Sequence, residues 1–251
     1  MTVLNSGRRF MRATSRLAFT LASIGLGACG DNRYETPPYF AWTDPPSAVG
    51  AYSIDGLDPS DAAMLEKIDL AAELNEVVLF YGHNPPIGVS YETIDALLGR
   101  AKTLGLSALS FAELASGPPR AGICLSFDDT EVDAWYALEP ILARHGAHVS
   151  FFVTRYAQFT DNERAKLHAL YANHHSIEAH GVNHAYANEY IPQYGLQAYI
   201  DYEVLPSIQI LRDDGFAPVA YAHPGGAHTR ELNDALAEHI EFVRGISGRP
   251  K

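Results

Sequence analysis

Cysteine is nearly absent: two occur in 251 residues, Cys29 and Cys124. A single possible pair excludes a disulfide framework as the source of stability. Cys124 stands inside an apolar strand pattern and reads as a small buried hydrophobe. Basic residues are scarce as well, 18 Lys and Arg against 30 Asp and Glu, for a formal charge of −12. Four of them (Arg8, Arg9, Arg12 and Arg16) fall in the first 28 residues, which carry no acid, so the remainder holds 14 basic against 30 acidic residues, a balance of −16. Such a surface repels phosphate backbones and argues against a nucleic-acid partner. The uncharged apolar run at residues 17–26 is too short to span a bilayer as a mature helix. No internal repeat or low-complexity segment is present, and 47% hydrophobic against 19% charged residues suffice for a full core in one large domain or two small ones.

What is present begins with a leader. Arginines through Arg16 precede the apolar run, so residues 1–28 read as a signal peptide. The leader closes on Leu26-Gly27-Ala28-Cys29, which resembles the lipobox of bacterial lipoproteins. That resemblance implies a lipidated Cys29 and an exported cell-envelope protein anchored to a bacterial membrane. Residues 29–75 read as a tether, rich in Pro, Tyr, Asp and Ser, plus an accessory helix with Met64, Ile68, Leu70 and Leu74 at helical spacing.

From residue 76 to 251, strand and helix patterns alternate, which predicts an α/β domain on a parallel sheet, open or closed into a barrel. Strands are expected at 77–81, 123–129, 149–153, 176–179, 219–222 and 240–243. Thr160 and Glu163 form a capping box for a helix from 161. Polar residues gather at strand C-termini: His83, Asp128 with Asp129, His180 and His223. Parallel α/β folds build their sites there.

Adjacent carboxylates at a strand end point in different directions, so one can bind a metal while the other stays free. The alternative is that Asp128 and Asp129 cap the next helix. His180 and His184 are four apart, a spacing that puts both on one face of a helical turn and suits a shared metal. Two imidazoles and one carboxylate leave zinc an open position, as in catalytic sites, and zinc lowers the pKa of bound water to about 7. His83 either lines the cleft or is a hydrogen-bonded structural histidine. His223 either touches substrate or packs its loop. The tyrosines at 186, 190, 194, 199 and 202 are core residues or sugar-stacking platforms.

Three segments together resemble a known family. Ser126-Phe127-Asp128-Asp129-Thr130, His180-xxx-His184 and Tyr221-Ala222-His223-Pro224-Gly225-Gly226 look like the first three motifs of polysaccharide deacetylases of the NodB-homology, carbohydrate esterase 4 type. The resemblance implies a distorted (β/α)₇ barrel and a hydrolase acting on non-peptide C–N bonds of linear amides. Asp128 would be the general base, Asp129, His180 and His184 the ligands of a divalent metal (zinc foremost, cobalt or another ion otherwise). Gly225 N–H would hold the oxyanion, and the substrate would be an N-acetylated polysaccharide. Ala222 stands where the family often has arginine, and Gly225 where an aromatic residue is common. The family's C-terminal histidine, its general acid, has no counterpart before Lys251, and neither does the seventh strand. A barrel incomplete at the C-terminus, from a truncated reading of a longer protein, is therefore expected. Two other readings stand beside the deacetylase: a non-catalytic carbohydrate-binding lipoprotein on this scaffold, and a metal amidase acting on a small non-sugar substrate.

Overall fold

The computed structural model describes residues 36–247; the segment read as a signal peptide and Cys29 lie outside them. Seven parallel strands close a barrel. In chain order they are β2 (Ala48–Ser53), β3 (Val77–His83), β5 (Gly122–Asp129), β6 (Ser150–Val153), β7 (Ser176–Ala179), β8 (Ala220–Ala222) and β9 (Phe242–Ile246). Each pairs with the next, and β9 pairs with β2 from Ala48↔Val243 to Ala51↔Ile246, which completes the ring. Two short strands lie outside this ring: β1 (Tyr39–Phe40), antiparallel to the start of β3, and β4 (Ser107–Leu109), parallel to the start of β5.

The closure corrects the expectation of a missing last strand. The barrel takes its seventh strand from residues 48–53, inside the segment read as tether. The run Ala48-Val49-Gly50-Ala51-Tyr52-Ser53 is rich in small residues and carries little β-branched or aromatic signal for a strand. It becomes one because both of its edges find partners.

Strand alternation sorts the core into two clusters. Facing the helices are residues such as Phe80, Leu125, Phe127, Phe151, Ile177 and Tyr221, packed with Met64, Ile68, Leu97 and Trp135. The opposite parity forms a second cluster with Val49, Val77, Leu79, Cys124, Phe152 and Phe242. Cys124 is free and fully buried, as the sequence implied. Asp128 shares the parity of Cys124, His180 that of Ser176 and Glu178, and Arg244 that of Phe242. Alternation therefore carries these three charged or polar side chains into the barrel's C-terminal end.

The helices follow their local signals. α1 (Ala62–Leu74) is capped by Asp61, and α2 (Tyr91–Thr103) by Ser90. A helix, α3 (Phe111–Ser116), follows β4. The helical stretch after β5 is split into α4 (Val132–Tyr136) and α5 (Glu139–His145), with a proline in the first turn of α5. α6 (Asp161–Ala172) carries the predicted Thr160–Glu163 capping box. After α7 (Ala187–Tyr194) the helical stretch is divided: α8 (Leu196–Tyr199), a π-helical turn at Ile200–Val204, and α9 (Leu205–Asp213). α10 (Arg230–Leu236) leads into β9.

Candidate active site

Asp128 and Asp129 end β5 in different backbone conformations. Asp128 remains in the ladder, opposite His83 of β3 and Phe152 of β6. Asp129 has φ +91°, a strained value for any residue but glycine and one that recurs at functional sites. Neither caps the following helix, since α4 begins after Glu131 without a side-chain cap bond. Asp129 Oδ1 lies 3.6 Å from His180 Nε2 and 3.3 Å from His184 Nε2.

The two histidines reach Asp129 by a route the spacing did not predict. Residues 181–186 form no helical turn but an irregular loop with two bends, with φ +83° at Gly181 and +62° at His184. His180 Nδ1 donates to Ala222 O at 2.9 Å, which fixes the tautomer and leaves Nε2 facing Asp129. Burial drives the His180 pKa down to about 4, so the ring is neutral and able to ligate. Burial pushes the Asp129 carboxyl up, but the His184 hydrogen bond and the neighbouring imidazoles outweigh it and hold the pKa below its ordinary value. Among the described residues this is the one group of three or more potential ligands, with all ligand atoms within 4.8 Å of one another. Two imidazole nitrogens and one carboxylate oxygen, with the His180 ring held in place by Ala222 O, suit a divalent ion of the zinc type.

Asp128 sits beside this group, 3% exposed. Its Oδ2 pairs with Arg244 from β9 in a buried ion pair. Its Oδ1 has no hydrogen-bond partner among the described residues. The Arg244 guanidinium also lies over the rings of Tyr81 (4.8 Å) and Phe152 (4.9 Å). Sequence reasoning missed Arg244, although an arginine inside the apolar pattern Phe242-Val243-Arg244-Gly245-Ile246 is itself a signal, because arginine is almost never fully buried unless paired.

His83 faces Asp128 from the other side, with Nε2 3.9 Å from Asp128 Oδ2. Asp55, just past β2, holds it twice: Asp55 Oδ2 lies 2.6 Å from His83 Nδ1, and Oδ1 accepts the His83 backbone N–H at 2.7 Å. Burial pulls the imidazole down, but the Asp55 hydrogen bond and the charges of Asp128, Asp55 and Asp129 overcome it and raise the pKa to about 9. His83 is therefore a cation at neutral pH. Asp55 was absent from the sequence reading because it lay in the presumed tether.

The polysaccharide deacetylase family model matches residues 115–240, half of the chain. The chain belongs to the polysaccharide deacetylase family. Three solved structures share its fold. The Streptococcus pyogenes deacetylase PplD, in complex with acetate, is 17% identical with TM-score 0.51, covering 70% of this chain and 92% of that one. A polysaccharide deacetylase from Bacillus cereus is 15% identical with TM-score 0.55, covering 69% of this chain and 60% of that one. IcaB from Ammonifex degensii is 13% identical with TM-score 0.55, covering 69% of this chain and 92% of that one. No curated protein matches the sequence. The family match leaves out β2, β3 and β9, the strands that bring up Asp55, His83 and Arg244.

Both oddities of the third deacetylase motif have a structural counterpart. Ala222 replaces the usual arginine, and its register partner on the next strand is Arg244, so a guanidinium enters from one strand away. Gly225 replaces the usual aromatic, and a Cβ there would meet the Tyr186 ring at 3.0–3.4 Å. The Tyr186 ring centroid lies 5.5 Å from that of His184, and the residue is 41% exposed. An aromatic wall thus stands beside Gly225 after all. His223, offered as a substrate contact, is corrected to the packing alternative. It is 2% exposed, bonded to Asn233 Oδ1 at 2.8 Å and stacked on His228, and burial drives its pKa down to about 3.

Proposed function

We propose that this deacetylase is metal-dependent and removes N-acetyl groups from a cell-envelope or extracellular polysaccharide. It is exported and held at a bacterial membrane through lipidated Cys29, as the lipobox-like leader suggests. The observation that carries the catalytic reading is Asp128: one carboxylate oxygen fixed by Arg244, the other buried without a partner beside a three-donor cluster.

Asp129, His180 and His184 would hold a divalent ion, zinc or cobalt, which when bound supplies Lewis acidity and lowers the pKa of water. Asp128 Oδ1 accepts the proton of the water that attacks the acetyl carbonyl. Arg244 pins the opposite oxygen and so fixes the base in the barrel. The Gly225 N–H donates to the oxyanion as the carbonyl becomes tetrahedral. His83, cationic and oriented by Asp55, gives its Nε2 proton to the amine nitrogen as the C–N bond breaks. Acetate leaves and the amine stays on the sugar. Tyr186 offers its exposed face for a sugar ring to stack on. His83 thereby takes the part of the leaving-group acid.

The test is acetate release by the full chain loaded with zinc. N-acetylglucosamine oligomers are the expected substrates, small non-sugar amides are not, and the His184→Ala protein should release nothing. Turnover of the amides alone would move the assignment to a small-molecule amidase. Oligomer binding without any acetate would establish the carbohydrate-binding reading.

A further inference from the structure

The metal-ligand loop lacks the helical turn that would normally fix two histidines four apart, so something else must hold it. Glu203, on the π-helical turn between α8 and α9, is 1% exposed and spends its carboxylate on this loop. Its Oε1 accepts from Ala185 N at 2.8 Å and Asn183 N at 3.0 Å, and its Oε2 accepts from Asn183 N at 3.1 Å and Asn183 Nδ2 at 3.2 Å. Its own backbone carbonyl accepts from Val182 N at 3.1 Å. Every link between His180 and His184 except Gly181 is therefore tied to this one residue, together with Ala185 just beyond. Gly181 fits the same picture: a Cβ there would stand 2.5 Å from Glu203 Oε1, so only glycine lets the carboxylate this close. Among the described residues, two further single bonds brace the loop's own carbonyls, Thr154 Oγ1 to Gly181 O at 3.0 Å and Tyr199 OH to Ala185 O at 3.0 Å. π-helical turns inside α-helical runs are frequent at functional sites, and this one carries Glu203.

We infer that Glu203 is a positioning residue for the metal site: it sets the backbone from which His180 and His184 converge on Asp129, and so sets metal affinity. The inference rests on the metal-dependent reading above. It predicts an effect on binding that global destabilisation alone would not produce, of the size typical when an outer-shell partner is removed, about 10–100-fold in affinity.

The experiment measures zinc affinity of the full-length wild type, Glu203→Ala, Glu203→Gln and His184→Ala by competition with a chromogenic chelator. Cobalt d–d spectra report ligand geometry in parallel. Leu167→Ala, a buried substitution in α6 outside the site, controls for lost stability. Glu203→Ala should weaken zinc binding about 10–100-fold and alter the cobalt spectrum. Glu203→Gln, which keeps one acceptor, should restore part of the affinity, and Leu167→Ala should bind as the wild type does. If Glu203→Ala fails to fold, Glu203→Gln carries the test against the same control. Wild-type affinity in the folded Glu203 variants, or an equal loss in Leu167→Ala, overturns the inference while leaving the metal reading intact. A wild type that binds zinc no better than His184→Ala overturns the metal reading and this inference with it.

Discussion

On one side of the barrel mouth, the ends of β5 and β7 present Asp129, His180 and His184; on the other, β2, β3 and β9 bring up Asp55, His83 and Arg244. The first side is built for ligation, with a neutral imidazole and an ionised carboxylate. The second is built for charge, with a cationic histidine and a guanidinium around Asp128. The family match covers the first side and stops short of the second. The ligand side consists of short segments whose chemistry is readable within five residues. The charged side exists only where strands from both ends of the described chain meet.

The largest effect should come from the residue the two sides share. Asp128→Asn removes the base and should lower kcat by about 10²–10⁴-fold while zinc stoichiometry stays at the wild-type value. Loss of zinc along with activity would show that Asp128 belongs to the ligand side instead. Arg244→Met separates the sides by stability. It leaves Asp128 buried and unpaired, which should cost about 3–5 kcal/mol in urea unfolding. Adding Asp128→Asn to it should recover part of that loss. An Arg244→Met protein as stable as the wild type would mean the ion pair does not hold the mouth closed.

Next in size is a shift in pH dependence. His83 donates only while protonated, so wild-type kcat/KM should fall as pH rises through about 9. Asp55→Asn removes the hydrogen bond and charge that favour the cation, so this limb should move toward lower pH. A limb that stays put would exclude His83 as the acid. Stability follows the same sign. The folded pKa of His83 is above the ordinary 6.5, so its stabilising contribution is complete below that value and lost as pH rises through about 9. The smallest effect belongs to Gly225→Ala. Its φ of +61° makes a side chain cost about 1–2 kcal/mol, and the added methyl presses on Tyr186. KM for oligomers should rise with zinc content unchanged.

The sequence by itself determined the alternating architecture, the polar residues at strand ends and the burial of Cys124, and it offered Asp129, His180 and His184 as candidate donors. Those features are local: a strand pattern ends at a polar residue, and the polar residue inherits the strand's position. Tertiary structure alone decided the rest. Residues 48–53 look like tether until β3 and β9 offer them two hydrogen-bonding edges. Arg244 meets Asp128 across 116 residues of chain, because barrel closure gives both the same inward parity at the same end. The HxxxH spacing was legible, but the turn it implied was not the one formed, since Glu203 offers the loop backbone N–H groups a buried carboxylate in place of helical carbonyls. Periodicity and spacing report what a segment does with its own neighbours. Register and burial across distant strands are fixed only when the sheet closes.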